Sequence, residues 1–219
     1  MQAFRSTKAY DVLVAAPLIL FYGFSMAGLQ PQFAAAFRLR PVWLSVLQLA
    51  SLTSDVFYFA LVIALVFVRR MPLAKSPDLW PRALALLGAN LLLVLPLLPH
   101  SSVPPATAAF SAVMTGGATA AELFILSRLG RSFSILPEAR RLVTSGPYRR
   151  IRHPLYLASV IGSFGAMLQF AQPWALFIVL AAFALQLWRM HYEERVLTKA
   201  FPEYAAYASR SWRLLPGLY

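Results

Sequence analysis

Long apolar runs, broken by short polar stretches, set the pattern of this chain. The runs cover Val12–Leu29, Val42–Val68, Leu79–Leu98 and Ala106–Leu126. Two more, Leu155–Phe170 and Trp174–Trp188, are joined by a turn at Ala171-Gln172-Pro173. A helix crosses a bilayer with roughly 20 apolar residues, so each of the first four runs predicts a span. The second is long enough to tilt or protrude. The arms of the last pair are each short for a full crossing, which fits a tilted or partly embedded hairpin. The pattern predicts an all-α fold, a polytopic membrane bundle of about five to six transmembrane helices. The tail, Thr198–Tyr219, is too polar to span. Its aromatic residues suit a short helix lying at the interface. Arg5 and Lys8 precede the first run, as in a signal peptide, but no small-residue cleavage site follows. That run therefore reads as the first transmembrane helix.

Composition agrees. Of 219 residues, 59% are hydrophobic and 13% charged, where a soluble domain carries about 25% charged residues. The net charge of +12 would by itself suit nucleic acid. Its distribution points elsewhere. With the N-terminus in the cytoplasm, 18 of the 20 Lys and Arg residues fall on the cytoplasmic side, leaving Arg38 and Arg40 outside. This asymmetry supports both the spans and the orientation, and it puts both termini in the cytoplasm. The basic residues are not interleaved with aromatics in a soluble module, so no nucleic-acid partner is expected. The absence of cysteine excludes disulfides, thiolate metal sites and cysteine nucleophiles. Three scattered histidines have no metal-ligand spacing, so no metal is expected. Neither glycine-rich phosphate-binding motif occurs. Gly116-Gly117 lets a helix or ligand approach the fourth run closely.

Two polar stretches interrupt this pattern where a bilayer needs none. The first is Gly146-Pro147-Tyr148-Arg149-Arg150-Ile151-Arg152-His153-Pro154-Leu155-Tyr156. Gly146-Pro147 is a turn signal, and Pro154 suits the first position of a helix. The free N–H groups of that helix start, with His153 and the arginines, can bind a carboxylate or phosphate. The plainer reading is a basic loop, with Arg140, Arg141, Arg149 and Arg150, that binds lipid headgroups. The second stretch is Arg189-Met190-His191-Tyr192-Glu193-Glu194. Arg189 and Glu193 lie four residues apart on one helix face, as a simple ion pair would. Glu194 points about 100° away, free to serve another ligand. Glu203, Tyr204 and Tyr207 could fold back onto the same place. Asp55, Asn90 and Glu122 lie inside predicted spans. A central carboxylate costs about 2.5 to 3.5 kcal/mol on insertion scales. These groups therefore face the bundle, either for interhelical hydrogen bonds or for a substrate cavity. His100 reads as solvated.

From Leu129 to Tyr219 the chain resembles the integral-membrane methyltransferases typified by isoprenylcysteine carboxyl methyltransferase and the phospholipid N-methyltransferases. The residues that carry the resemblance are Leu142-Val143-Thr144-Ser145-Gly146-Pro147-Tyr148, Arg152-His153-Pro154-Leu155-Tyr156, Arg189 with Glu193-Glu194, Leu197, Phe201-Pro202-Glu203-Tyr204, Tyr207 and Leu215-Pro216-Gly217. The resemblance implies S-adenosylmethionine as methyl donor, with S-adenosylhomocysteine as product. It implies a helical membrane fold unrelated to the soluble Rossmann methyltransferases. Cofactor-binding positions would fall on Tyr148, Arg152, His153, Pro154, Tyr156, Glu194 and Tyr204. The catalytic, substrate-side pair would be Arg189 and Glu193. Residues 1–128 would then form the substrate-side helices and 129–219 the cofactor-binding region.

The expected partners are membrane lipids and an acceptor that is a hydrophobic small molecule, a lipid or a lipidated molecule. The Arg-, Ala- and Leu-rich composition points to a bacterial inner membrane. A carboxylate acceptor would need only orientation by Arg189, whereas an amine or thiol must lose a proton, to Glu193. Two other readings stand beside this one. A non-enzymatic lipid-binding scaffold or transport accessory needs the helices and basic loops, but neither Glu194 nor the tyrosines. Membrane sterol reductases share a related C-terminal motif and bind a nicotinamide cofactor, but they need more helices.

Overall fold

Where the apolar pattern is continuous, the helices are long. Val42–Val68 forms α4, Pro105–Leu129 forms α6 and Trp174–Ala200 forms α8. Each is long and apolar enough to cross a membrane. The computed structural model describes residues 7–76 and 78–218, without the side chains of Val14, Ala89, Asn90 and Leu93. Arg5 and the Asn90 side chain thus lie outside the described residues. Large apolar side chains point outward along the bundle, among them Leu20, Phe24, Phe57, Phe110, Phe177 and Trp188. Helices that are apolar both inside and outside belong in lipid.

Proline divides the runs that were expected to be continuous. The first is not one helix. It falls into α1 (Lys8–Val14) and α2 (Ala16–Ala27), and α3 (Gln30–Ala36) follows it. Pro17 and Pro31 lie at the starts of α2 and α3, where a missing N–H costs least. The third run is α-helical only over α5 (Leu79–Asn90) and continues as a 3-10 turn over Leu91–Leu97. Pro96 lacks the N–H, and its ring clashes with the carbonyl four residues back, so α geometry cannot continue through it.

The hairpin also departs from expectation. Its first arm, α7 (Pro154–Met167), is short at 14 residues. Its second arm, α8, has 27 residues and runs far past Trp188. No Gly or Pro occurs between Trp188 and Pro202, so the helix carries the polar stretch out of the apolar zone. In the tail, the expected interfacial helix shrinks to α9 (Tyr204–Ala208).

In the bundle, α6 packs against both α4 and α7, α5 packs on α8, and α2 lies on α4. Small residues set these distances. A Cβ on Gly165 of α7 would sit 2.7 Å from the Met114 Cβ of α6, and one on Gly116 would sit 3.1 Å from the Ser51 Cα of α4. Gly117 has open space around it.

After α6 the chain forms a strap. Glu138–Ala139 (β2) pairs antiparallel with Ala74–Lys75 (β1). An ion network anchors it from below. The Asp11 carboxylate accepts from Arg69 Nε at 2.9 Å and from Arg140 Nη2 at 3.0 Å, and Arg140 Nη2 also donates to Glu138 at 2.6 Å. Burial pushes the Asp11 carboxyl up. The hydrogen bond from Arg140 and the charge of Arg69 outweigh burial and hold it below the usual range. Arg140 is buried and committed to this network, so it takes no part in a lipid-binding loop. Arg141, Arg149 and Arg150 are exposed.

Candidate active site

The site is built where α7 starts, α8 leaves the apolar zone and the tail returns. Gly146 adopts φ 62°, a conformation that suits glycine, and opens a 3-10 turn over Gly146–Arg149. Pro154 then begins α7, with His153 as its N-cap. The tail runs parallel to the segment between them. Arg152 N donates to Trp212 O at 2.8 Å, His153 N to Arg213 O at 3.1 Å, and Trp212 N to Arg150 O at 2.8 Å. Tyr207 Oη of α9 donates to Tyr148 O at 2.6 Å. These bonds fix the tail over the motif.

Glu194 is the hub of the fixed part. Its carboxylate accepts from Arg152 Nε at 2.9 Å and from Arg213 Nε at 3.0 Å, and it pairs with His153 Nε2 at 3.1 Å. Arg213 Nη2 donates to it as well. Arg152 Nη1 also donates to Ala208 O at 2.6 Å. A carboxylate held by two arginines and a histidine orders all of them.

One helix position earlier, Glu193 serves a different set. Tyr156 Oη donates to its carboxylate, and Arg189 Nη2 lies 3.8 Å from it. The Arg189 guanidinium sits 5.0 Å from the centre of the Tyr156 ring and donates to Ile135 O of the strap at 2.9 Å. The His153 and Tyr156 rings meet edge to face at 5.4 Å.

A single cavity is lined by Tyr148, Arg152, His153, Tyr156, Arg189, Glu193 and Tyr204, all of which the sequence singled out. Two positions that the resemblance assigned to the cofactor stand outside the wall. Pro154 is buried and starts α7, while Glu194 sits behind Arg152 and His153. Burial pushes the phenols of Tyr148, Tyr204 and Tyr207 up, that of Tyr207 to about 12, so all three keep their protons at neutral pH. The Tyr204 hydroxyl and Arg189 Nε are buried without a hydrogen-bond partner. Free polar groups in a cavity wall are what a ligand would satisfy.

The cavity continues into the bundle, where Tyr22, Tyr58, Glu122 and Gln186 line it. Of these, the sequence had marked only Glu122, with two uses open. Gln186 interrupts the apolar run Trp174–Trp188, a signal that could have marked it. Arg213 was also missed, since nothing in a polar tail singles out one arginine. Asp55 lies apart from the cavity wall and accepts from Thr119 Oγ1 at 2.9 Å, an interhelical bond. His100 is exposed and packs on the Phe170 ring. Among the described residues, no group of three His, Asp or Glu side chains is placed to hold a metal ion.

Comparison with known proteins bears on this half of the molecule. Residues 107–204 match the family described as phospholipid methyltransferase. Protein-S-isoprenylcysteine O-methyltransferase B of Arabidopsis thaliana is 38% identical over 92 residues, 37% of this chain and 45% of that protein. The cobalt-zinc-cadmium resistance protein CzcN of Cupriavidus metallidurans is 46% identical over 81 residues, 35% of this chain and 36% of that protein. The nickel-cobalt-cadmium resistance protein NccN of Alcaligenes xylosoxydans xylosoxydans is 37% identical over 84 residues, 37% of this chain and 38% of that protein. The chain thus spans less than half the length of each of these relatives.

Proposed function

We propose, taking the C-terminal region as a member of the phospholipid methyltransferase family, that the protein is a membrane methyltransferase. It moves a methyl group from S-adenosylmethionine to a hydrophobic or bilayer-embedded acceptor. The cofactor-binding region is 129–219, and 1–128 forms the acceptor side. The protein sits in a bacterial inner membrane, where the donor enters from the cytoplasm and the acceptor from the bilayer. The observation that carries this reading is the convergence of Tyr148, Arg152, His153, Tyr156, Arg189, Glu193 and Tyr204 on one cavity.

The side chains present fit the donor. Arg152 and His153 offer cationic or hydrogen-bonding groups for its carboxylate. The faces of Tyr148 and Tyr156 suit a sulfonium. The buried, unpartnered Tyr204 hydroxyl suits a polar group of the nucleoside. When bound, the donor supplies a methyl carbon made electrophilic by the positive sulfur.

The residues of the chain do the rest. Glu194 holds Arg152 and His153 in place from behind the wall, which makes it a positioning residue. Arg189, fixed by the Ile135 carbonyl and the Tyr156 ring, orients the acceptor. Glu193 takes a proton from any acceptor that must lose one. The apolar helices around the site exclude water, so alignment supplies much of the rate.

Thermal unfolding of the detergent-purified protein tests this. S-adenosylhomocysteine at 100 times its dissociation constant should stabilise by about 2.7 kcal/mol, whereas NADPH should give no shift. His153→Ala and Glu194→Gln should each weaken S-adenosylhomocysteine at least tenfold. Binding as tight as the parent's in both variants, or a shift with NADPH alone, would overturn the reading.

A further inference from the structure

The deep end of the cavity holds polar groups that the donor site does not use. Glu122 lies on α6 seven residues before its end, about 10 Å inside the bundle at 1.5 Å per residue. Its carboxyl lines the cavity beside Tyr22 of α2 and Tyr58 of α4. Those two rings pack edge to face, 6.4 Å apart. Gln186 lies one turn deeper on α8 than Arg189. It donates to Ser159 Oγ at 3.4 Å and leaves its own Oε1 buried and unpartnered. Elsewhere in the protein, buried and half-buried carboxylates are matched. Asp11 has two arginines, Glu194 has two arginines and His153, and Asp55 has Thr119. Among the described residues, Glu122 makes no hydrogen bond and no ion pair.

An unmatched carboxyl inside a membrane bundle is costly and marks a substrate path more often than a structural tie. Here it shares its cavity with a buried, unpartnered carbonyl oxygen. Both groups accept hydrogen bonds, and with them stand two phenols that can either donate or accept. A head group that brings its own N–H or O–H would satisfy Glu122 and Gln186 together. A carboxylate brings none, so it would leave the Gln186 carbonyl oxygen unsatisfied and set a second acidic group beside Glu122.

Resting on the methyltransferase reading, we infer that Glu122 and Gln186, with Tyr22 and Tyr58, form an acceptor pole. This pole selects a head group that donates hydrogen bonds, an amine or a hydroxyl on an apolar chain, and rejects a carboxylate. Glu122 and Gln186 are its specificity-determining residues. Three of its four residues come from helices that carry none of the residues assigned to the donor, and Gln186 comes from α8, one turn deeper than Arg189.

Direct binding tests this without turnover. Dodecylamine, dodecanol and dodecanoate, equal in chain length, are titrated into the detergent-purified protein with and without saturating S-adenosylhomocysteine. The parent should bind the amine or the alcohol at least tenfold more tightly than the carboxylate. Glu122→Gln, close in volume, should lose that preference tenfold, and Gln186→Leu should weaken it. Both variants should keep the parent's affinity for S-adenosylhomocysteine. Equal binding of dodecanoate by the parent overturns the inference, as does an unchanged preference in Glu122→Gln with cofactor binding intact. A parent that fails to bind S-adenosylhomocysteine removes the methyltransferase reading. In that case the head-group preference, measured without cofactor, still decides the acceptor pole.

Discussion

Glu193 and Glu194 are adjacent in the chain and face different tasks. The helix turns about 100° between them, so Glu193 reaches Tyr156 and the cavity while Glu194 reaches Arg152, His153 and Arg213. Arg213 comes from the last turns of the tail, 19 residues further on. Because it binds the hub and not the cavity, it acts through Glu194 as a positioning residue. Arg213→Met should weaken S-adenosylhomocysteine about tenfold, or ~1.4 kcal/mol, by isothermal calorimetry. Arg213→Lys, which keeps one charge but not the two-pronged contact, should recover part of that. Equal affinity in the Met variant would show that the tail only covers the site.

At the scale of elements, glycine decides how closely the helices stand. Gly165 presses α7 onto α6, with the nearest backbone atom, Thr115 N, 3.1 Å from where a Cβ would sit. Gly165→Leu must separate the two helices, at a cost of about 1–3 kcal/mol for overpacking. It should lower the melting temperature in detergent and weaken cofactor binding, because α7 carries Tyr156. Gly117 lies on the same helix as Met114 with open space around it. Gly117→Ala should therefore stabilise, by up to about 1 kcal/mol, through helix propensity alone. Thermal unfolding of the two variants side by side separates packing from propensity. A rise for both would mean that α6 and α7 are not in tight contact.

At the scale of the molecule, Asp11 ties the N-terminal helix to the strap that roofs the cavity. Removing its charge leaves Arg69 buried without a counterion and Arg140 with Glu138 alone, and breaking a buried pair typically costs about 3–5 kcal/mol. Asp11→Asn should therefore unfold at lower temperature and loosen the strap that carries Ile135, the contact of Arg189. Asp11 also gives stability a pH dependence. Its carboxyl is held below the ordinary value of 3.8, so the folded state binds its proton less readily than the unfolded one. The stabilisation is complete above that ordinary value and is lost as pH falls through the lower folded value. Melting temperature should fall as the pH drops below the ordinary value of 3.8, and Asp11→Asn should flatten that part of the curve.

The membrane character, the number of polar interruptions and seven of the residues lining the cavity were legible in the chain, because they depend on local pattern. Apolar length marks a span, and Gly-Pro and His-Pro mark a turn and a helix start. An Arg and a Glu four residues apart share a helix face wherever that helix lies. Tertiary structure decided the rest. Whether Glu194 faces ligand or protein depends on where Arg213 returns, and Arg140 is buried only because Asp11 of α1 and the strap meet. Glu122 could be assigned to the cavity only once α2, α4 and α8 stood around it. Those outcomes depend on contacts between residues far apart in the chain, which periodicity and spacing do not encode.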